Sequence, residues 1–378
     1  MQRALLFAIG IVACDPSPDD TARDDVEHID PAESGPWGVG ATTIEVDVTY
    51  ADGSEGQLEA EVWYPYAGGQ ATPGAYPVIA IEREARRNVP LAPDAPVRPL
   101  ILFSHGLGGT RVQSVFLMEH LASHGWTIVA PDHPGSRFYD PGYIDGVLAS
   151  AIKRPPEISA TLEAVYTAMN APFADAIDPE LGVVMSGHSF GAFTTLMMTG
   201  GVFEKQRAID YCIGEDRSIS GCNFITDEEL LSFDAETSWD PLDHVVASLP
   251  LSPGLAWAFS PASLAAFPPT LVLGGTYDTV LGYDNEVVPT YEALGSPKVL
   301  ATSEKAGHYG YSDLCVLKVL PFPDCATEGW QPVPDVQAAA NEVVAGWLGQ
   351  NVAADPAYAD WTLDRWAEQD PLRSFVAE

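Results

Sequence analysis

The chain has 378 residues, with 18 Lys and Arg against 53 Asp and Glu and a net charge of −35. So negative a surface repels nucleic acid and anionic lipid headgroups, which excludes a polyanion-binding module. It keeps the protein soluble and by itself says nothing about chemistry.

Met1 to Ala13 reads as an export signal: Arg3 supplies a positive start, and Ala4 to Ala13 is almost wholly apolar. The run is too short to span a bilayer as a mature helix. It ends Ile11-Val12-Ala13-Cys14, which resembles the lipobox of bacterial lipoproteins. That resemblance implies cleavage after Ala13, a lipid on Cys14 and a protein anchored to the bacterial cell envelope. Residues 14–36 are rich in Asp, Pro, Ser and Glu, too poor in apolar surface to fold, and are expected to form a disordered acidic tether. The remaining length, about 340 residues, suits one large α/β domain with insertions or two small ones, and no internal repeat or second linker is seen. We place that domain at 37–350 and a C-terminal extension at 351–378.

Thr42 to Tyr50 and Gln57 to Tyr64 alternate in hydrophobicity around Asp52-Gly53-Ser54-Glu55-Gly56, the pattern of a β-hairpin. Residues 65–99 read as loop, with Val78 to Glu82 a possible short strand and Arg83, Arg86 and Arg87 a solvated basic cluster. Leu100 to Phe103 reads as a buried strand running into Ser104-His105-Gly106-Leu107-Gly108-Gly109. A helix over Ser114 to His124 and a strand over Thr127 to Ala130 follow. His120 and His124 share a helix face without an acidic partner at metal-ligand spacing, and read as surface histidines. Pro156 to Ala171 reads as a helix with Ile158, Leu162, Val165 and Met169 in the core.

The next stretch organises the rest. Gly187-His188-Ser189-Phe190-Gly191 stands between an apolar run, Leu181 to Met185, and a helix-like run, Ala192 to Met198. Strand, sharp turn and helix with serine at the apex form the G-x-S-x-G nucleophile elbow. The flanking positions must be small, because a Cβ there would strike the neighbouring strand or helix. The helix N-terminus turns its free N–H groups toward the reacting centre.

Residues 201–243 interrupt the strand–helix rhythm and are expected to form an insertion over the active-site end of the sheet, a lid or pocket wall, with a plain surface excursion as the alternative. Val245 to Leu251, Thr270 to Gly274 and Val299 to Thr302 are the next strands, and Gln337 to Leu348 is a closing helix. The tail after Asn351 is expected on the outside. Alternating strands and helices imply a mostly parallel central sheet flanked by helices. Beyond Cys14, an exported chain with four cysteines points to disulfides. Of three possible pairings we expect the sequence-local one, Cys212–Cys222 and Cys315–Cys325. No metal site is expected, because no C-x-x-C occurs and the histidines are scattered.

Ser189, Asp278 and His308 occur in the order Ser…Asp…His, each just past an expected strand, as in an α/β-hydrolase triad. His308 is placed as general base, Asp278 as the group that fixes its tautomer, and Asp210 and Asp284 stay open as alternative acids. Acyl transfer also needs two N–H groups facing the oxyanion. Phe190, after the nucleophile, and Leu107, in the glycine-rich turn, are the candidates.

Phe103-Ser104-His105-Gly106-Leu107-Gly108, Leu121-Ala122-Ser123-His124-Gly125 and Gly187-His188-Ser189-Phe190-Gly191 resemble plasma-type platelet-activating-factor acetylhydrolase. Val62-Trp63-Tyr64-Pro65 and Pro131-Asp132-His133-Pro134-Gly135 are similar to bacterial predicted dienelactone hydrolases. The resemblance covers roughly residues 40–350. It implies an α/β-hydrolase fold and a calcium-independent serine esterase that needs no cofactor. We expect a monomer acting on a small-molecule or lipid-like ester. Two departures narrow the resemblance. Ser189 stands where dienelactone hydrolases carry cysteine, and Asp278 lies farther from the nucleophile than the acetylhydrolase acid does. Two readings remain beside the esterase: an inactive surface binding lipoprotein on the same scaffold, and an amidase or polyester hydrolase.

Overall fold

The computed structural model describes residues 28–68, 73–76, 82–142, 146–213, 220–233, 239–315, 325 and 328–378. The signal segment and Cys14 lie outside them. The strands are β1 (Gly38–Thr49), β2 (Glu55–Tyr66), β3 (Pro73–Ala75), β4 (Glu82–Arg87), β5 (Leu100–Ser104), β6 (Ile128–Pro131), β7 (Val183–His188), β8 (Val245–Leu251), β9 (Thr270–Gly275), β10 (Lys298–Ser303) and β11 (Arg373–Ala377). They form one sheet in the order β11-β10-β9-β8-β7-β5-β6-β2-β1-β4-β3. From β6 to β10 every pair is parallel. The β1–β2 hairpin joins antiparallel to β6, and β11 closes the other edge antiparallel to β10.

The α-helices are α1 (Val115–Ser123), α2 (Val147–Thr167), α3 (Phe190–Met198), α4 (Lys205–Cys212), α5 (Asp227–Ser232), α6 (Pro261–Leu264), α7 (Val288–Ala293), α8 (Val333–Asn351) and α9 (Leu363–Glu368). Strands β5, β6, β7, β9 and β10 are buried along their whole length because both their faces are covered. Strand β5 shows how the alternation divides the core. Ile101 and Phe103 join the cluster with α1 and α8, while Leu100 and Leu102 join the one that includes Ile158 and Val165 of α2.

Several expectations change. Arg83, Arg86 and Arg87 lie on β4, not in a solvated loop. Arg87 pairs with the fully buried Glu61 and donates to Thr43, so a sheet-edge ion pair gives that position its cation. Of the expected strand Val78 to Glu82, residues 78–81 lie outside the described residues, and Glu82 opens β4. Helix α2 starts at Val147, well before Pro156, and carries Pro155 and Pro156 inside it. The proline pair reads as a start signal in sequence because helices tolerate proline best in their first turn. Met169 lies past the end of α2 and is 78% exposed, so it is not core.

His120 and His124 are not surface histidines either. His120 Nε2 bonds the Pro31 carbonyl, and the fully buried His124 bonds the Glu33 carbonyl and the Tyr358 hydroxyl. Residues 28–36, expected as the end of the tether, are therefore docked on α1. The Ile29 N–H adds a bond to the Ala357 carbonyl. The tail packs inward as well as outward: Trp361 and Trp366 are buried in the core, and β11 extends the sheet.

Candidate active site

In a parallel sheet the strand ends share one edge, and loops leaving that edge build sites. Here β5 feeds the Gly106–Gly109 turn, β7 the serine, β9 Asp278 and β10 the His308 loop. Ser189 has φ 59° and ψ −120°, a strained conformation for a residue with a Cβ. Such strain costs on the order of 1–3 kcal/mol and persists only where surrounding structure enforces it. The enforcement is visible. The Ser189 N–H donates to the Leu251 carbonyl on β8. A Cβ on Gly187 would lie 2.3 Å from the Gly191 carbonyl oxygen, and one on Gly191 would lie 1.9 Å from that of Ser104. Both glycines are required by backbone contact.

Asp278 and His308 are brought together: Asp278 Oδ2 lies 2.6 Å from His308 Nδ1, and both side chains are buried. Asp278 Oδ1 accepts from the Val280 and Leu281 N–H groups at 2.9 and 2.8 Å. Burial alone would raise this carboxyl. The His308 charge and hydrogen bond, with the two backbone donors, outweigh it and hold the Asp278 pKa below its ordinary value. Asp210 and Asp284 are exposed, and Asp210 accepts from Gln206 on its own helix. With Nδ1 turned to the carboxylate, acid–base work by His308 would fall to its Nε2 atom.

Leu107 and Phe190 both border the cavity that holds Ser189 and His308. Among the described residues, neither backbone N–H is spent on a protein acceptor. The loop is held from behind. The fully buried Arg154 donates to the His105 carbonyl at 2.6 Å, to Ser136 Oγ at 2.8 Å and, longer, to the Gly106 carbonyl at 3.4 Å. The Gly106 carbonyl also accepts from His105 Nδ1 and from the Gly109 N–H. In a trans peptide the next N–H points opposite to the carbonyl, so a gripped Gly106 oxygen sends the Leu107 N–H the other way. The same guanidinium lies 4.4 Å from the ring centroid of Phe190.

A second chain joins the three loops. The Gly106 N–H donates to Gln113 Oε1 at 3.0 Å, which fixes that atom as the amide oxygen. Gln113 Nε2 then donates to His188 Nδ1 at 2.8 Å, and His188 Nε2–H donates to the His308 carbonyl at 2.9 Å. Burial first, then the His308 charge, pushes the His188 pKa down to about 3, so this imidazole is neutral. Behind the loop, His133 donates from Nδ1 to Glu157 at 2.7 Å, while its Nε2 accepts from the Ser104 hydroxyl. Burial raises the Glu157 carboxyl, and Tyr50 also donates to it.

The cavity is about 210 Å³ and largely apolar, with Phe190, Phe193, Leu255 and Leu281 among its walls. Gly221 and Phe224, from the segment expected as an insertion, also line it, so that segment is a pocket wall. Cys212 and Cys222 have sulfurs 2.09 Å apart, and Cys315 and Cys325 have theirs 2.06 Å apart, the two sequence-local pairs. Among the described residues, no group of three or more His, Cys, Asp or Glu is placed to hold a metal.

The sequence points to Ser189, Asp278, His308, Leu107 and Phe190; the structure places Ser189, His308, Leu107 and Phe190 at one cavity, with Asp278 bonded to His308. Sequence reading missed Gln113, Arg154, Glu157 and Glu286. His188 and His133 stood inside motifs already singled out, and a polar residue beside a motif glycine or serine was the signal available. Arg154 and Glu286 carried none.

The family model described as platelet-activating factor acetylhydrolase, isoform II, matches residues 74–137. That span holds the Gly106–Gly109 turn and α1 but not Ser189, Asp278 or His308. No curated protein matches the chain. Among solved structures, a ferulic acid esterase from Streptomyces cinnamoneus is similar over 91% of this chain and 97% of that one, at 17% identity and a TM-score of 0.60. The chain has the α/β-hydrolase fold.

Proposed function

We propose that the protein is a serine hydrolase of carboxylic esters with short or medium acyl chains, exported and tethered to the membrane. The observation that carries the reading is that His308, bonded to Asp278 at 2.6 Å, lines the same cavity as a serine in the strained elbow conformation. The Ser189 hydroxyl attacks the ester carbonyl, and His308 Nε2 takes its proton. Asp278 holds the imidazole tautomer and stabilises the imidazolium. The Leu107 and Phe190 N–H groups receive the oxyanion, a contribution of roughly 3–4 kcal/mol per donor in a site that excludes water. Collapse expels the alcohol, which takes its proton from His308, and leaves an acyl-enzyme. Water activated by His308 then releases the acid. The family model's description, an acetylhydrolase, and the similar solved structure, a ferulic acid esterase, support an ester over an amide.

The tether is proposed from Ala13-Cys14 at the end of an apolar run. No helix among the described residues is long and apolar enough to cross a membrane. Attachment through acyl chains on Cys14 is the form of anchoring that this sequence supports. A panel of p-nitrophenyl esters, run on purified wild type and on Ser189→Ala, tests the catalytic reading. Turnover by wild type and its loss in the variant are expected, and equal turnover by both contradicts it.

A further inference from the structure

Glu286 is a carboxylate buried in a region with no cation bonded to it among the described residues, and it does not line the cavity. It sits on a π-helical turn, Tyr283–Val287, on the segment that leads from the Asp278 loop into α7. Such turns recur at functional sites. Three N–H donors converge on it. Oε2 accepts from the Leu255 N–H at 2.7 Å, and Oε1 accepts from the Gly221 N–H at 3.0 Å. The Trp257 indole N–H lies between them, 3.1 Å from Oε2 and 3.3 Å from Oε1. Gly221 and Leu255 both line the cavity, on different segments of the chain. One carboxylate therefore ties two pieces of cavity wall at a fixed separation.

The surroundings make this tie strict. A Cβ on Gly221 would lie 2.3 Å from Glu286 Oε1 and 2.6 Å from Leu255 Cδ2, so the wall approaches as closely as glycine allows. Gly221 is next to Cys222, whose disulfide to Cys212 carries the tie into α4. Tyr211 on α4 stacks on Trp257 with centroids 4.4 Å apart, which closes the circuit back to Glu286. The segment thus meets the α/β core at a carboxylate and a ring stack, and the disulfide ties those two contacts together within it.

We propose that Glu286 is the positioning residue that sets the width of the acyl cavity and so the acyl-chain preference of the enzyme. This inference rests on the esterase reading. Glutamine at this position offers one acceptor oxygen in place of two, and its amide nitrogen faces an N–H donor. Either Gly221 or Leu255 must let go, and the wall relaxes outward. Long acyl chains then gain relative to short ones, while a merely structural role lowers every ester in proportion.

The test is kcat/KM for p-nitrophenyl acetate and octanoate with wild type, Glu286→Gln and Gly221→Ala. The last of these pushes the same two walls apart from the other side. One methylene more or less in an apolar pocket is worth about 10–200-fold, so the octanoate-to-acetate ratio should rise by about tenfold or more in both variants. A ratio that stays at the wild-type value in folded protein overturns the proposal. So does failure of both variants to fold, which would assign Glu286 to the whole scaffold. A wild type that hydrolyses neither ester refutes the esterase reading itself, whereas an active wild type with unchanged ratios refutes only the role of Glu286.

Discussion

His188, the residue before the candidate nucleophile, donates its Nε2–H to the backbone carbonyl of His308, 2.9 Å away. The elbow and the histidine loop are thereby stapled by a group that takes no proton itself, because burial keeps His188 neutral. Through Gln113 the same imidazole reaches the Gly106 N–H, so three strand-end loops share one hydrogen-bond chain.

Breaking that chain should misplace the reacting groups without removing any of them. We predict that His188→Phe lowers kcat by about 100-fold, the cost of displacements near 1 Å at an active site, while KM changes little. Steady-state kinetics on short-chain esters checks this. A kcat within threefold of wild type would leave the staple without a catalytic consequence.

Asp278 is held ionised by His308 and two backbone donors. Asp278→Asn should keep the fold and lower kcat by about 10⁴, because the amide favours the wrong imidazole tautomer. Parallel assays of Asp210→Asn and Asp284→Asn should show near-normal rates, since both side chains are exposed. A severe loss in either of these with a mild one at Asp278 would reassign the acid.

The chemistry-bearing residues that follow strands were legible because strand–turn–helix order leaves a pattern in sequence: the glycines of 106–109 and 187–191, then Asp278 and His308. Elements fixed by distant partners were not. Arg87 looks like loop until Glu61 is placed beside it, and His124 looks exposed until the Glu33 carbonyl and Tyr358 close over it. Strand β11 follows a long acidic tail and becomes a strand by pairing with β10. Arg154 and Glu286 lie in ordinary-looking helical sequence, and only packing shows that each holds backbone groups of the cavity loops.

Burial pushes the Glu286 carboxyl up to about 7 from 4.5, against the donors that would lower it, and the Asp278 charge adds to the rise. Between those values the folded chain binds more protons than the unfolded one, so stability falls as pH rises from about 4.5 to about 7. The full shift corresponds to roughly 3 kcal/mol. Asp278, with its pKa lowered, acts in a separate and more acidic window, where its contribution is lost as pH falls below about 3.8. Melting temperatures of wild type minus Glu286→Gln should therefore become more favourable to wild type as pH drops from 7 to 5. Parallel curves over that interval would mean that Glu286 is not raised.

The proposed anchor makes a prediction independent of catalysis. One acyl chain holds a protein marginally and two or more hold it stably, so a lipidated Cys14 should place the enzyme with membranes. Fractionation of cells should show wild type sedimenting with the envelope, and Cys14→Ser released or stalled as precursor. Wild type that is wholly soluble, with an unmodified mature N-terminus, would remove the tether and leave a secreted enzyme.

The central claim is that Ser189 forms a covalent acyl-enzyme, and trapping it is the most direct measurement. Purified protein treated with a fluorophosphonate should gain one adduct by intact mass, mapped by peptide sequencing to Ser189. Ser189→Ala should gain none, and its kcat should fall by as much as about 10⁶, the loss seen when a triad nucleophile is removed. An adduct on another serine, or ester turnover by Ser189→Ala near the wild-type rate, would contradict the account.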